Sequence, residues 1–108
     1  MKLNKIVILT FWVSMAILQV KYVFALDGST LYREKACIAC HGENGNQPVM
    51  SEYPKISGQN APYMVAQMKD IKSGSRNNSH SIAMTNVMHM ISEDEMNAVA
   101  EWLSGLPQ

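Results

Sequence analysis

The chain has 108 residues, of which nine are basic and nine acidic, so its formal net charge is zero. Without its first 25 residues it keeps six basic and nine acidic side chains, a net charge of −3, which argues against nucleic acid as a partner. The remaining 83 residues suffice for one small domain, whose core needs support from a metal, a disulfide or a cofactor.

The first 25 residues have the pattern of a secretory signal peptide. Two lysines precede an apolar run, Ile6–Leu18, and Ala25 supplies the small residue of a cleavage site. We therefore predict a signal peptide over residues 1–25 and a folded domain over residues 26–108. Lys21 lies between the apolar run and the cleavage site, which leaves an uncleaved membrane anchor open, although the run is shorter than the ~20 residues that cross a bilayer.

The first predicted element of the domain is a helix from Gly28 to Ala39, with Asp27 or Ser29 as its N-cap. This helix ends in the most specific motif of the chain, in which two cysteines, Cys37 and Cys40, are followed directly by a histidine.

The motif Cys37-x-x-Cys40-His41 is typical of c-type haem attachment. Two thiols at this spacing can add to the two vinyl groups of a haem, and the histidine is then placed as an axial ligand of the iron. The chain has no other cysteine, so both thiols have a use.

Three other interpretations of the two cysteines are weaker. A thioredoxin-type redox pair opens a helix after a strand in a βαβ pattern, which this chain lacks. A zinc site needs four ligands, for which only His41, His80 and His89 remain. A disulfide between the two thiols would close a very small loop and restrain little of the unfolded chain.

The middle of the chain alternates loops and helices. Residues 42–60 are rich in Gly, Pro, Asn and Gln and predict a long loop, which a haem face would hold in place. A second helix is predicted from Asn60 to Lys72, with Asn60 as its N-cap. Residues 73–81 are polar and loop-like, and the Met-rich stretch 82–90 has room for a short helical turn.

The last predicted element is an amphipathic helix. Ser92 and Glu95 form a capping-box pattern at its start, and Gly105 and Pro107 end it. No part of the chain shows the alternation of a strand, so we predict an all-α domain. The apolar stripe of the last helix consists of Met96, Val99, Ala100 and Leu103.

In the order of these elements the chain resembles the class I c-type cytochromes, above all the short bacterial ones and the halves of two-haem bacterial cytochromes c. The resemblance covers residues 28–106 and implies a small cytochrome c fold, with three to four helices around one covalent haem c. It is carried by the haem motif and by Gly45-Asn46, Tyr53–Gln59, Tyr63 with Gln67, Lys72–Asn78 and Ile91–Met96.

The resemblance also implies the two ligands of the iron. The histidine corresponds to His41, and the offset from the start of the last helix places the methionine at Met84, with Met88 as the fallback. The two other histidines, His80 and His89, leave a bis-histidine alternative open.

Four further residues are candidates for haem contacts: Pro54, Gln59, Tyr63 and Arg76. The resemblance implies that the backbone carbonyl of Pro54 accepts the Nδ1 proton of the haem histidine. Arg76, with Gln59 and Tyr63, would hydrogen-bond the haem propionates, and a guanidinium is the strongest of these donors. A loop proline and a solvated loop arginine are the alternatives.

The implied function is periplasmic transfer of one electron on a low-spin haem, by a soluble shuttle or the haem subunit of a larger redox complex, without catalysis. Implied partners are redox proteins such as a respiratory oxidase, reductase or dehydrogenase, with a membrane involved only if the N-terminal segment stays uncleaved. Two alternatives remain open: a haem enzyme or gas sensor with an open sixth iron site, and a haem-free module that uses Cys37 and Cys40 as a dithiol.

Overall fold

The computed structural model describes residues 25–108 of the chain. Over these residues the chain forms helices and no strand, which confirms the predicted all-α class. None of these helices is long and apolar enough to cross a bilayer. Residues 1–24, which hold nearly all of the predicted signal peptide, lie outside the described residues. The five helices are α1 (Gly28–Glu34), α2 (Cys37–His41), α3 (Ala61–Ser73), α4 (Ser81–His89) and α5 (Glu93–Ser104).

The first predicted helix, Gly28–Ala39, is two helices in the structure, so its predicted end was wrong. Asp27 is the N-cap of α1, since its carboxylate accepts the backbone N–H of Ser29 at 3.2 Å and the hydroxyl of Thr30 at 2.6 Å. The chain leaves α1 because Ala36 adopts the left-handed conformation, with φ of 65°, which ends a helix. Alanine is a strong helix former, so the local sequence gives no sign of this break.

Side-chain caps begin α3 and α5 where they were predicted. The Asn60 side chain accepts the backbone N–H of Tyr63 at 3.0 Å. The Ser92 hydroxyl accepts the backbone N–H of Glu95 at 3.2 Å, and the Glu95 carboxylate accepts that of Ser92 at 3.0 Å, which completes the capping box. Helix α4 is nine residues long and thus exceeds the single turn expected, and its N-cap, His80, makes no side-chain capping bond.

The core lies where α5 packs against both α1 and α3, while α4 packs against α3. The ring of Tyr32 in α1 packs against that of Trp102 in α5, with ring centroids 5.1 Å apart and the planes tilted by 51°. This aromatic pair joins the first and last helices of the domain. The buried side chains of α5 are those of its predicted apolar stripe: Met96, Val99, Ala100 and Leu103.

Gly28 lies where α1 passes closest to α5. A Cβ built on this residue would overlap the carbonyl oxygen of Ala98 and lie 2.7 Å from the Cβ of Trp102, both in α5. The two helices can therefore approach this closely only because position 28 has no side chain.

Gly28→Ala is expected to lower the free energy of unfolding by about 1–3 kcal/mol, the usual cost of overpacking, because α1 must move away from α5. Gly105→Ala is the matched control, since a Cβ there meets no atom closer than 3.6 Å and its φ of −83° suits any residue. Its effect should stay within about 0.5 kcal/mol. Guanidinium unfolding followed by circular dichroism measures both, and equal losses would contradict the close approach at Gly28.

Candidate functional site

The Cys-x-x-Cys-His motif occupies the whole of α2, a short helix between the left-handed Ala36 and Gly42. Gly42 has φ of 82° and ψ of 175°, and a Cβ there would overlap the carbonyl oxygen of Gln47, so this position needs glycine. The Tyr32 hydroxyl donates a 2.6 Å hydrogen bond to the Gly42 carbonyl. The end of the motif is thus held by a buried side chain of α1.

Beside α2 lies a cavity of about 290 Å³ with mainly apolar walls. Its walls come from α2, the loop after it, α3, α4 and α5. His89 is exposed and is not part of the lining, so the structure does not bring it to the other candidates. All the other predicted site residues line the cavity: Cys37, Cys40, His41, Pro54, Gln59, Tyr63, Arg76, His80, Met84 and Met88.

His41 is only 4% exposed, and its Nδ1 lies 3.0 Å from the carbonyl oxygen of Pro54. This is the hydrogen bond that the resemblance implied for Pro54. Burial lowers the pKa of His41, while the hydrogen bond to Pro54 opposes that shift. The imidazole is therefore neutral at neutral pH, and because a carbonyl oxygen can only accept, its proton is on Nδ1. Nε2 keeps its lone pair and can bind a metal.

The two cysteines differ in exposure, with Cys37 half-buried and Cys40 exposed. Burial raises the pKa of Cys37 to about 11, so this thiol is protonated at neutral pH. A dithiol redox pair needs a thiol with a lowered pKa, which Cys37 does not provide. Within residues 25–108, no three His, Cys, Asp or Glu side chains are grouped as a metal ion would require, so the zinc interpretation gains no support.

Four methionines line the cavity, Met64 and Met68 from α3 and Met84 and Met88 from α4. Met64 and Met88 are 7% and 1% exposed and belong to the buried core. Met68 and Met84 pack against that core and are only partly buried, so part of each side chain stays open to the cavity. Of the two methionines on α4, Met88 is thus mainly a core residue and Met84 is the accessible one.

Two pairs of cavity-lining side chains that include polar groups contact each other. The Arg76 guanidinium donates a 2.9 Å hydrogen bond to Gln67 and keeps further N–H donors for a carboxylate. The His80 ring packs edge-on against Tyr53, with ring centroids 5.6 Å apart. Gln67 and Tyr53 belong to the stretches that carry the resemblance, but neither was predicted as a site residue, because the sequence does not show which side chain each one contacts.

The sequence matches the family model of cytochrome c over residues 25–107. Cytochrome c-553 of Nitratidesulfovibrio vulgaris is 33% identical over 87 residues, which cover 81% of this chain and 83% of that protein. Cytochrome c4 of Azotobacter vinelandii is 32% identical, over 73% of this chain and 41% of that protein. The thiosulfate dehydrogenase electron acceptor of Stutzerimonas stutzeri is 34% identical, over 78% of this chain and 38% of that protein.

A solved structure shows the same fold. The crystal structure of reduced recombinant cytochrome c4 from Pseudomonas stutzeri superimposes with a TM-score of 0.64 and 28% sequence identity, over 74% of this chain and 46% of that one. The chain therefore spans most of cytochrome c-553 but less than half of the cytochrome c4 structure that it matches.

The free energy of unfolding should depend on pH through Tyr32, because burial raises the pKa of its hydroxyl to about 12. An unfolded tyrosine has a pKa of about 10. The folded chain holds this proton more tightly, so the resulting stability is present below pH 10 and is lost as the pH rises from 10 towards 12.

Tyr32→Phe should lower the free energy of unfolding by about 1 kcal/mol at pH 8, because it removes the hydrogen bond to Gly42. The difference from the wild type should shrink between pH 10 and pH 12, where only the wild type loses the stability linked to this proton. Guanidinium unfolding of both proteins across that range measures it. A difference that does not change with pH would contradict the raised pKa.

Proposed function

This chain belongs to the cytochrome c family, and we propose that it carries single electrons in the bacterial periplasm on a low-spin haem bound by His41 and Met84. Like its relatives, it is an electron-transfer protein with covalently bound haem c. Cys37 and Cys40 have the spacing that the two thioether bonds require.

The proposal rests above all on which chemical groups share the cavity. Two thiols, a neutral imidazole and accessible thioether side chains line one mainly apolar space. These groups fit a covalent haem. The two thiols provide the attachment points, the imidazole would provide a nitrogen donor to the iron, and a thioether would provide a sulfur donor. A bound haem supplies an iron that alternates between the ferrous and ferric states. His41 offers Nε2 to that iron, and Met84 offers its sulfur from α4.

The surrounding side chains support electron transfer in two ways. Ile71, Val87 and Leu103 are among the apolar residues that line the cavity, and an apolar lining excludes water and disfavours added charge. A thioether ligand favours the ferrous state, so Met84 raises the reduction potential. Arg76 carries the positive charge that can pair with the carboxylates of the cofactor.

We propose a carrier in preference to an enzyme or gas sensor. The alternative requires an open sixth iron position and a distal base. Among the cavity-lining residues of the described chain, the histidine other than His41 is His80, which is exposed and packs against Tyr53. Met84 is less exposed than His80 and would supply its sulfur to the iron in the carrier.

The proposed partner is another redox protein, such as an oxidase, a reductase or a dehydrogenase. Two of the relatives are named thiosulfate dehydrogenase electron acceptor, and the chain covers 38% and 33% of their lengths. Beside the motif, the backbone N–H of Val49 donates to the Cys40 carbonyl at 3.0 Å, and Val49 and Met50 are 63% and 43% exposed. This exposed apolar surface next to Cys40 is the proposed contact for the partner.

Met84→Ala should abolish the sulfur-to-iron charge-transfer band of the ferric protein, because it removes the sulfur ligand. It should also lower the reduction potential and let carbon monoxide bind the ferrous iron. Met88→Ala is the matched control and should keep the band, since Met88 is a buried core side chain. Visible spectra and a redox titration of the purified proteins measure these changes.

The same spectra separate the alternatives. Loss of the band in Met88→Ala alone would move the ligand to Met88. A low-spin wild type without the band, whose spectrum neither substitution changes, would make His80 the leading candidate. A five-coordinate haem in the wild type would favour the enzyme or sensor, and a protein without haem would favour the dithiol module.

The proposed location is tested by the mass of the exported protein. Protein from the periplasmic fraction should begin at Leu26 and weigh as much as residues 26–108 plus one haem, which acidified organic solvent should not extract. Recovery in the membrane fraction with Met1–Ala25 still attached would show an anchored protein instead.

A further inference from the structure

We propose that Lys35 and Lys72 are positioning residues for α4, the helix that carries Met84. They bind the backbone carbonyls directly after α4 and thereby control how readily an outside ligand reaches the iron. The effect at the iron rests on the proposed ligation by Met84, whereas the effect on α4 itself does not.

Helix α4 is held by core contacts at its C-terminal side, where Met88 and Ile91, which follows the helix, are each 1% exposed, and has few contacts elsewhere. Among the helices of residues 25–108, α4 packs against α3 alone. Its inner face borders the cavity through Met84 and Val87, and Ile82 on its outer face is 65% exposed. At its start, His80 provides no side-chain cap and Ser79 has a left-handed φ of 50°. The position of α4 therefore depends on these core contacts and on how its other end is held.

That other end leads into a connector, Met90–Ser92, whose carbonyl groups bond to lysines from distant elements. Lys35 Nζ donates to the Met90 carbonyl at 3.2 Å. Lys72 Nζ donates to the Ile91 carbonyl at 2.7 Å. Carbonyls at the end of a helix lack partners within the helix, and the helix dipole favours cations there. Hydrogen bonds from an ammonium group are also stronger than those from neutral donors.

Lys35 also joins the connector to the start of α5. Its ammonium group lies 3.2 Å from a carboxylate oxygen of Glu95, and these side chains are 28% and 20% exposed. The other oxygen of Glu95 accepts the Ser92 backbone N–H. The hydrogen bond from Ser92, with Lys35 as a smaller contribution, lowers the pKa of Glu95, so this carboxylate is charged at neutral pH. Lys35 thus binds both the Met90 carbonyl of the connector and Glu95, the partner of Ser92 in the capping box of α5.

The two lysines connect α4 to the elements that carry the other site residues. Lys35 is the C-cap of α1 and lies two residues before Cys37, and Lys72 lies in the last turn of α3. The connector is therefore bonded to the start of the haem motif on one side and to α3 on the other.

The test compares Lys72→Met with Lys69→Met in the haem-loaded protein. Both substitutions remove one positive charge from α3, so they match in their general electrostatic effect. Lys69 instead pairs with Glu93 at 3.1 Å, and the two side chains are 51% and 62% exposed. The control therefore removes a surface ion pair, which contributes little.

Lys72→Met should raise the affinity of the ferric protein for imidazole about tenfold. Loss of a hydrogen bond from a charged donor lets α4, with Met84, move away from the iron more often. Lys69→Met should change it by less than about twofold. Lys72→Arg keeps a charged donor and should restore most of the wild-type affinity. Lys35→Met should give a smaller rise than Lys72→Met, since its bond to the connector is longer.

Amide hydrogen exchange of the same proteins tests the effect on α4 without reference to the iron. Lys72→Met should speed exchange over residues 82–91 and leave α1 and α5 unchanged. Equal exchange over α4 in Lys72→Met and Lys69→Met would overturn the inference, whatever the sixth ligand is. So would faster exchange with an unchanged imidazole affinity in a protein whose wild type shows the methionine band. Faster exchange in a protein without that band would support the positioning of α4 and overturn only the proposed ligand.

Discussion

His41 can offer Nε2 to an iron because its Nδ1 is bound to the carbonyl oxygen of Pro54, 13 residues further along the chain. That bond requires the loop after α2 to return to the motif, although the loop has no regular secondary structure. The loop is held by backbone bonds: the Gly45 carbonyl accepts the N–H of Ile56 at 2.7 Å, and the Gly58 N–H donates to α5 at 2.8 Å. Packing of α5 against α1 therefore supports the orientation of the imidazole, and the loop does not depend on a cofactor face alone.

Local signals account for the parts of the fold that could be predicted. The caps at Asn60 and Ser92 appear in the sequence as single residues at fixed offsets, and the structure contains both. The left-handed Ala36 could not be predicted, because alanine favours helix and neither glycine nor asparagine marks the break. The length of α4 was also underestimated, since its sequence lacks a capping residue and most of its apolar side chains face the cavity.

In the candidate site, too, some residues could be predicted from local sequence signals and others could not. The roles of Cys37 and His41 could be predicted from the spacing of one short motif. The choice between Met84 and Met88 could not, because the two methionines are one turn apart on the same helix and share a face. Their burial separates them: Met88 is a closed part of the core, and Met84 keeps surface towards the cavity. Gln67 and Arg76 both lie in stretches that carry the resemblance, but their hydrogen bond was not predicted, since it forms across the end of α3.

The two proposed ligands differ in how firmly the protein holds them. His41 is buried on a short helix whose end is bonded to Tyr32, and its imidazole is bonded to the loop, so hydrogen bonds within the protein fix its orientation. Met84 is on a helix that packs on one neighbour and borders the cavity on its other face. An electron carrier needs both ligands to stay in place when the iron changes charge. Because Met84 is held less firmly than His41, the methionine is the ligand that would detach more readily. Bonds at the end of α4 then matter more for keeping foreign ligands out than for the stability of the whole domain.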